Sequence, residues 1–139
     1  MAQRKLALLI TSIALIASLM ACTSLGKLSL SNPRMAFDEP GMEETTVYPP
    51  FSDFHAVADL YNAPSGTEVS AKWYAVDVDG YEPDSLLDET ILTIEDESYT
   101  GHVSFEYTYD DVRGWPPGKY KVELYLNGEL MHTLNFVVQ

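Results

Sequence analysis

The chain has 139 residues, with 21 acidic side chains against 8 basic ones and a formal net charge of −13. This length is sufficient for one domain with a buried core, and so acidic a surface repels phosphate, which argues against a nucleic-acid partner and against lying flat on anionic lipid. There is a single cysteine, Cys22, so an intramolecular disulfide cannot form.

The first 21 residues have the three parts of a secretory signal. Arg4 and Lys5 give a cationic start, an uncharged run follows over 6–20, and Ala21 is a small residue at the cleavage point. The run is shorter than the roughly 20 apolar residues that a membrane span needs. We therefore predict a cleaved signal peptide over 1–21. Cleavage removes two cations and no acid, so the formal charge goes from −13 to −15.

The end of this segment, Leu19-Met20-Ala21-Cys22, resembles the lipobox of bacterial lipoproteins. The resemblance implies that Cys22 becomes the first mature residue and carries acyl chains on its sulfur and its amino group. Two or more acyl chains anchor a protein stably, whereas a single chain exchanges. The expected location is therefore the bacterial cell envelope, with the protein lipid-anchored to a membrane and facing the periplasm or the exterior.

Residues 22–44 are interrupted by Pro33, Pro40 and Gly41, which break any period of two or of 3.6. Such composition is typical of a flexible segment. We predict a lipid-anchored tether over 22–44 and one folded domain over 45–139.

Residues 45–139 consist of short runs in which apolar and polar residues alternate, separated by turn residues. This is the pattern of an antiparallel β-sandwich. The expected class of this domain is all-β, with about seven strands. The strands are predicted at 45–48, 54–60, 69–76, 91–94, 102–108, 120–126 and 130–138.

Two features resemble the immunoglobulin and fibronectin-type sandwiches. Trp73 lies on the third predicted strand, and Gly118-Lys119-Tyr120-Lys121-Val122 matches the tyrosine-corner pattern. The resemblance implies an immunoglobulin-like sandwich in which Val122 faces small residues such as Ala56 or Ala58, with Trp73 packed over them. It implies an architecture and no particular activity.

The connection between the last two strands sets their register. We expect Phe136 of the last strand in the core with Trp73 and Tyr120. A two-residue turn at 127–128 would direct Leu134 and Phe136 away from that core. We therefore predict a three-residue bulged loop over 126–128, which pairs Leu124 with Leu130 and Tyr120 with Leu134.

Acidic residues in the loop 77–84 are candidates for a calcium site, because calcium is bound by several oxygen ligands. Asp77, Asp79 and Asp84 are the candidate ligands, although Gly80 comes fourth and not sixth, so the EF-hand spacing is absent. A turn at Asp79-Gly80 is the alternative interpretation.

Trp115 precedes Pro116-Pro117 and has two interpretations. It is either an aromatic platform for a sugar or a peptide, or a plug that closes one end of the sandwich. His132 is expected at the edge of the core with a hydrogen bond, and the three histidines lack zinc-ligand spacing.

Aromatic and aliphatic residues on the outer side of three strands form a candidate partner surface. These residues are Tyr74, Val76, Tyr125, Met131 and Val137. With no catalytic motif and no cofactor motif, we expect a non-catalytic, lipid-anchored module that contacts another envelope protein or a surface assembly. A small hydrolase with an acidic site, or a calcium- or carbohydrate-binding module, is the alternative.

Overall fold

The computed structural model describes residues 26–139, so the predicted signal peptide and Cys22 lie outside the described residues. Eight strands are present in this range. They are β1 (Ser29–Ala36), β2 (Val47–Tyr48), β3 (Phe54–Pro64), β4 (Glu68–Val78), β5 (Ser85–Thr93), β6 (Ser98–Tyr107), β7 (Gly118–Leu126) and β8 (Glu129–Val138). Within residues 26–139, no helix has the length and apolar character needed to cross a membrane.

The strands form two sheets. The smaller has the order β1-β3-β6 and the larger the order β2-β8-β7-β4-β5. Neighbouring strands are antiparallel except β2 and β8, which are parallel. The predicted all-β sandwich is confirmed.

The inner faces of the two sheets enclose an aromatic core. Trp73, Tyr120 and Phe136 are all buried, as expected from the period-two alternation of their strands. Tyr120 and Phe136 stack with ring centroids 5.6 Å apart, and Phe54 meets Phe136 edge-on at 4.7 Å. Val122 is paired with Trp73 in the sheet and is fully buried, so apolar packing fills the interior without a disulfide.

The tyrosine corner forms as the resemblance implied. The Tyr120 hydroxyl donates a hydrogen bond of 2.6 Å to the carbonyl oxygen of Pro116, four residues upstream. Burial raises the pKa of Tyr120, so the hydroxyl stays a neutral donor.

The predicted tether is corrected over its second part, because Ser29–Ala36 is a strand paired with β3. A register shift between Ser31 and Arg34, with Asn32 at a φ of 49°, absorbs the break in the pattern. This bulge lets both Leu30 and Met35 reach the core. The folded unit therefore includes residues well before position 45.

The segment 37–44 covers the outer face of the smaller sheet. The Arg34 guanidinium donates to the Gly41 carbonyl at 3.0 Å, to the Pro40 carbonyl at 3.0 Å and to the Asp59 carboxylate at 3.2 Å. A Cβ atom at Gly41 would lie 2.5 Å from Arg34 Nε, so the close approach requires glycine. Beneath this cover Val57 is fully buried, although its side chain points away from the core.

The β7–β8 connection differs from the predicted loop. It is a two-residue turn at Asn127 and Gly128, whose φ values are 49° and 82°, and it pairs Leu126 with Glu129. The pairing expected for Leu124 with Leu130 is therefore wrong.

A bulge inside β8 restores the register of the core. Tyr125 pairs with Leu130 and Leu124 pairs with His132, so Met131 is the extra residue. Beyond it Tyr120 pairs with Phe136, and not with Leu134 as expected. Leu130 consequently lies on the outer side and is 48% exposed.

The two edge strands of the larger sheet have bounds that differ from the prediction, and β3 and β6 are each longer than predicted. The strand predicted at 45–48 is reduced to β2, and the one predicted at 91–94 is the end of the longer β5. Among the described strands β5 pairs only with β4, and most of its side chains are exposed. It therefore lacks the apolar alternation by which strands are recognised in a sequence.

Candidate interaction surface

The larger sheet presents an outer face that no other described element of the chain covers. We call this surface the open face. Four of the five predicted surface residues lie on it and are half-buried by their neighbours: Tyr74, Val76, Tyr125 and Val137. The fifth, Met131, lies in the β8 bulge beside them and is exposed.

Charged side chains hold the two tyrosine rings of the open face in place. Lys72 Nζ lies 4.7 Å from the centroid of the Tyr125 ring, and Lys121 Nζ lies 4.9 Å from that of Tyr74. Glu123 accepts a hydrogen bond of 3.0 Å from the Tyr125 hydroxyl and approaches Lys121 Nζ at 3.9 Å. Rings that are already ordered lose little conformational entropy when a partner binds.

The phenols of the open face are un-ionised in neutral solution. Burial, followed by hydrogen bonding and charge from Glu123, raises the pKa of Tyr74 to about 12. Burial and Glu123 also raise the pKa of Tyr125. The Tyr74 hydroxyl can therefore donate a hydrogen bond to a partner, whereas the Tyr125 proton is already donated to Glu123 and its oxygen remains an acceptor.

A second part of the open face is aliphatic. Val76 and Val137 line a shallow cavity of about 310 Å³ together with Val47 and Lys119. Val47 was not among the predicted surface residues, yet it is exposed and paired with Val137. The sequence could have indicated this position. Side chains alternate along a strand, so Val47 must point outward if its neighbour Tyr48 points inward.

The acidic loop does not form the converging arrangement that the calcium prediction requires. In residues 26–139, no three His, Cys, Asp or Glu side chains are grouped so as to hold a metal ion. Asp79 and Gly80 lie in a turn closed by a hydrogen bond of 3.1 Å from Tyr81 N to Val78 O, and Asp77 is exposed. The Asp84 carboxylate lies 3.8 Å from Lys121 Nζ.

Trp115 is buried and is not an exposed platform. It is 3% exposed, stacks on Phe54 with ring centroids 4.2 Å apart, and donates from Nε1 to the Ser52 carbonyl at 3.0 Å. The plug interpretation is correct, since the indole closes the end of the sandwich beside Tyr120.

No family model and no curated protein matches this sequence. Solved structures do match. An immunoglobulin-like protein from Pseudomonas aeruginosa superposes with a TM-score of 0.56 at 11% identity, over 84% of this chain and 99% of that one. The chain has an immunoglobulin-like fold. At this identity the likeness concerns the fold alone.

The same fold matches parts of larger proteins. A Pseudomonas fluorescens alkylpurine DNA glycosylase bound to DNA matches with a TM-score of 0.51 at 13% identity, over 81% of this chain but 30% of that one. A Listeria innocua β-glucosidase matches with a TM-score of 0.51 at 12% identity, over 82% of this chain and 16% of that one. This chain therefore spans less than a third of either protein.

Proposed function

We propose that this protein is a lipid-anchored, non-catalytic module of the bacterial cell envelope that contacts another envelope protein through the open face. One contrast between the two sheets carries the proposal. The chain covers the outer face of its smaller sheet with segment 37–44, and Val57 there is fully buried. The larger sheet keeps tyrosine, valine and methionine side chains accessible on its open face.

The composition of the open face fits a protein partner. Tyrosine is enriched in protein interfaces because it combines a large apolar ring with a hydrogen-bonding group. The lysines over Tyr74 and Tyr125 are accompanied by Glu123, so this face mixes both charges on an otherwise acidic protein. A partner with apolar side chains and carbonyl acceptors would complement it.

The largest cavities support a binding role over a hydrolytic one. A cavity of about 640 Å³ is bordered by Glu39, Glu95, Asp96 and His102, all of which are exposed. These side chains face open water, whereas hydrolytic sites enclose their acid and base in a cleft that excludes water. Another cavity, of about 680 Å³, lies beside the buried Trp115.

The test is crosslinking in intact cells. A Tyr74→Ala, Tyr125→Ala double variant should lose most of the crosslinked adduct, because two ordered rings are removed from the surface. Tyr61→Ala is the matched control, since Tyr61 is exposed on the other sheet. Equal adduct yield from all three proteins, at equal expression and unchanged circular dichroism, would refute the open face as the contact.

Lipid anchoring is tested separately. Acyl chains on Cys22 should be detected by the mass of the N-terminal peptide and by incorporation of labelled fatty acid. Cys22→Ser should remove both signals and move the protein out of the membrane fraction. Retention of the variant in washed membranes would contradict the anchor.

A further inference from the structure

The described chain is fixed to the sandwich from its first residues. Asn62 donates from Nδ2 to the Lys27 carbonyl at 3.1 Å, and Leu28 packs against the core. Gly26 is also close to Asn62, because a Cβ atom at that position would lie 3.4 Å from Asn62 Cγ. These contacts set where any upstream anchor must attach.

That attachment point lies at one end of the sandwich, which we call the proximal end. Three connections meet there, at 65–67, 94–97 and 127–128. Gly66 N donates to Ile94 O at 2.8 Å, and Asn127 N donates to Glu68 O at 2.8 Å. β3 runs toward this end, and β1 runs away from it.

The link between the predicted anchor and this end is short. Residues 23–25 alone separate Cys22 from Gly26. Four residue steps span at most about 14 Å when fully extended. By comparison, the 11 residues of β4 extend over roughly 36 Å. The tether predicted over 22–44 therefore cannot act as a long spacer, because residues 29–36 of it form strand β1 of the sandwich.

We propose that the proximal end stands directly at the lipid headgroup surface, held there by this short link. The proposal rests on the lipid anchor of the proposed function. It also orients the open face, because the strands that form this face run from the proximal end to the opposite end and would extend away from the membrane. A partner would then meet the open face within about 50 Å of the lipid surface, from the link plus the strand length, which fits a protein anchored in the same membrane.

The link must impose this proximity, since the proximal end has no electrostatic affinity for anionic lipid. Its carboxylates outnumber its one lysine, Lys27; they are Glu68, Glu95, Asp96, Glu97 and Glu129. The screening length at physiological salt is about 8 Å, which is shorter than the link. Repulsion between this end and anionic lipid therefore weakens as salt is added.

Energy transfer from a labelled thiol to acceptor-labelled headgroups tests the arrangement. The acylated full chain is reconstituted in vesicles of phosphatidylethanolamine and phosphatidylglycerol. Glu97→Cys places a donor at the proximal end, and Val112→Cys places one at the opposite end, where Val112 is 96% exposed. Acylation occupies Cys22, so only the introduced thiol is labelled. The Glu97 position should show several-fold more transfer than the Val112 position, increasing with salt.

A linker variant supplies the second arm. About twelve Gly and Ser residues inserted between Leu25 and Gly26 give a flexible spacer of roughly 20 Å, and transfer from the Glu97 position should fall. Equal transfer from both positions, or no response to the linker, would overturn the proximal arrangement and leave the anchor standing. An N-terminal peptide without acyl chains would instead refute the anchor, and the arrangement with it.

Discussion

His132 Nε2 lies 2.8 Å from the carbonyl oxygen of Leu30 and joins the last strand of one sheet to the first strand of the other. The neutral imidazole with its proton on Nε2 can donate this bond. Since β1 follows the predicted anchor in the chain, this contact helps to connect the proximal end of the smaller sheet with the sheet that bears the open face.

Replacing His132 with Phe should therefore loosen β1. The change removes one part-buried hydrogen bond, and we expect a loss of about 1 kcal/mol in the free energy of unfolding. Urea denaturation measures the loss, and hydrogen exchange should accelerate mainly in β1. His102→Phe is the control, because His102 is exposed on β6. Equal protection of β1 in both variants would count against the role of His132.

Tyr120→Phe tests the tyrosine corner. The ring and its stacking on Phe136 are kept, and only the hydrogen bond to Pro116 is lost. We expect unfolding to become easier by about 1 kcal/mol. Tyr125→Phe is the matched control, because its hydroxyl bonds Glu123 at the surface, and it should change stability by less than about 0.5 kcal/mol. Equal effects of the two substitutions would contradict this assignment.

Arg34→Met should expose the outer face of the smaller sheet. The substitution keeps an apolar stem but removes the donors to the carbonyls of Pro40 and Gly41 and the ion pair with Asp59. Two part-buried hydrogen bonds and two exposed ones are lost together, so we expect about 2 to 3 kcal/mol of destabilisation. Limited proteolysis should then cut within 37–44. Arg113→Met removes only an exposed pair with Asp111, and cleavage of both variants at the same rate would be inconsistent with the proposed cover.

Gly128→Ala isolates the conformational requirement of the β7–β8 turn. Gly128 has a φ of 82°, and no atom lies within 4 Å of the place that a Cβ would occupy, so a methyl group meets no clash. The left-handed backbone alone should cost about 1 to 2 kcal/mol. The neighbouring Glu129→Ala, in an exposed position, should be close to neutral. A neutral Gly128→Ala would show that the turn adopts another conformation.

Stability should fall at alkaline pH, and Tyr48 should contribute to the loss. Burial raises its pKa from 10.0 to about 12, and its hydroxyl donates to the Ala36 carbonyl at 2.6 Å. A group whose pKa is raised on folding stabilises the fold below its unfolded pKa, and that contribution is lost as the pH rises through the folded value. The free energy of unfolding should thus decline between pH 10 and 12. Tyr48→Phe should reduce the slope of that decline without abolishing it, because the pKa values of Tyr74 and Tyr120 are raised as well. An unchanged slope would contradict the burial argument.

The sequence was sufficient to predict the core because strand residues alternate with a period of two. Trp73, Tyr120 and Phe136 were expected inside and are buried. Trp115 allowed two interpretations, since its exposure depends on how Phe54 and Ser52 from a distant segment approach it. Such long-range packing is not encoded in local pattern.

Bulges caused the main differences from expectation. The bulge at Asn32 conceals β1 by shifting its alternation, and the bulge at Met131 moves the register correction from the turn into β8. In each case a non-local pairing determines which residue is extra. The calcium prediction depended on the path of the loop 77–84, which a charge pattern alone does not specify.

The most direct test of the central claim is site-specific photo-crosslinking in living cells. A photoreactive residue at position 125 on the open face should capture one envelope protein, and the same residue at position 61 on the smaller sheet should not. Capture should disappear in the Cys22→Ser background, because the partner is met at the membrane. Capture of the same protein from both positions, or capture that persists without the anchor, would contradict the account.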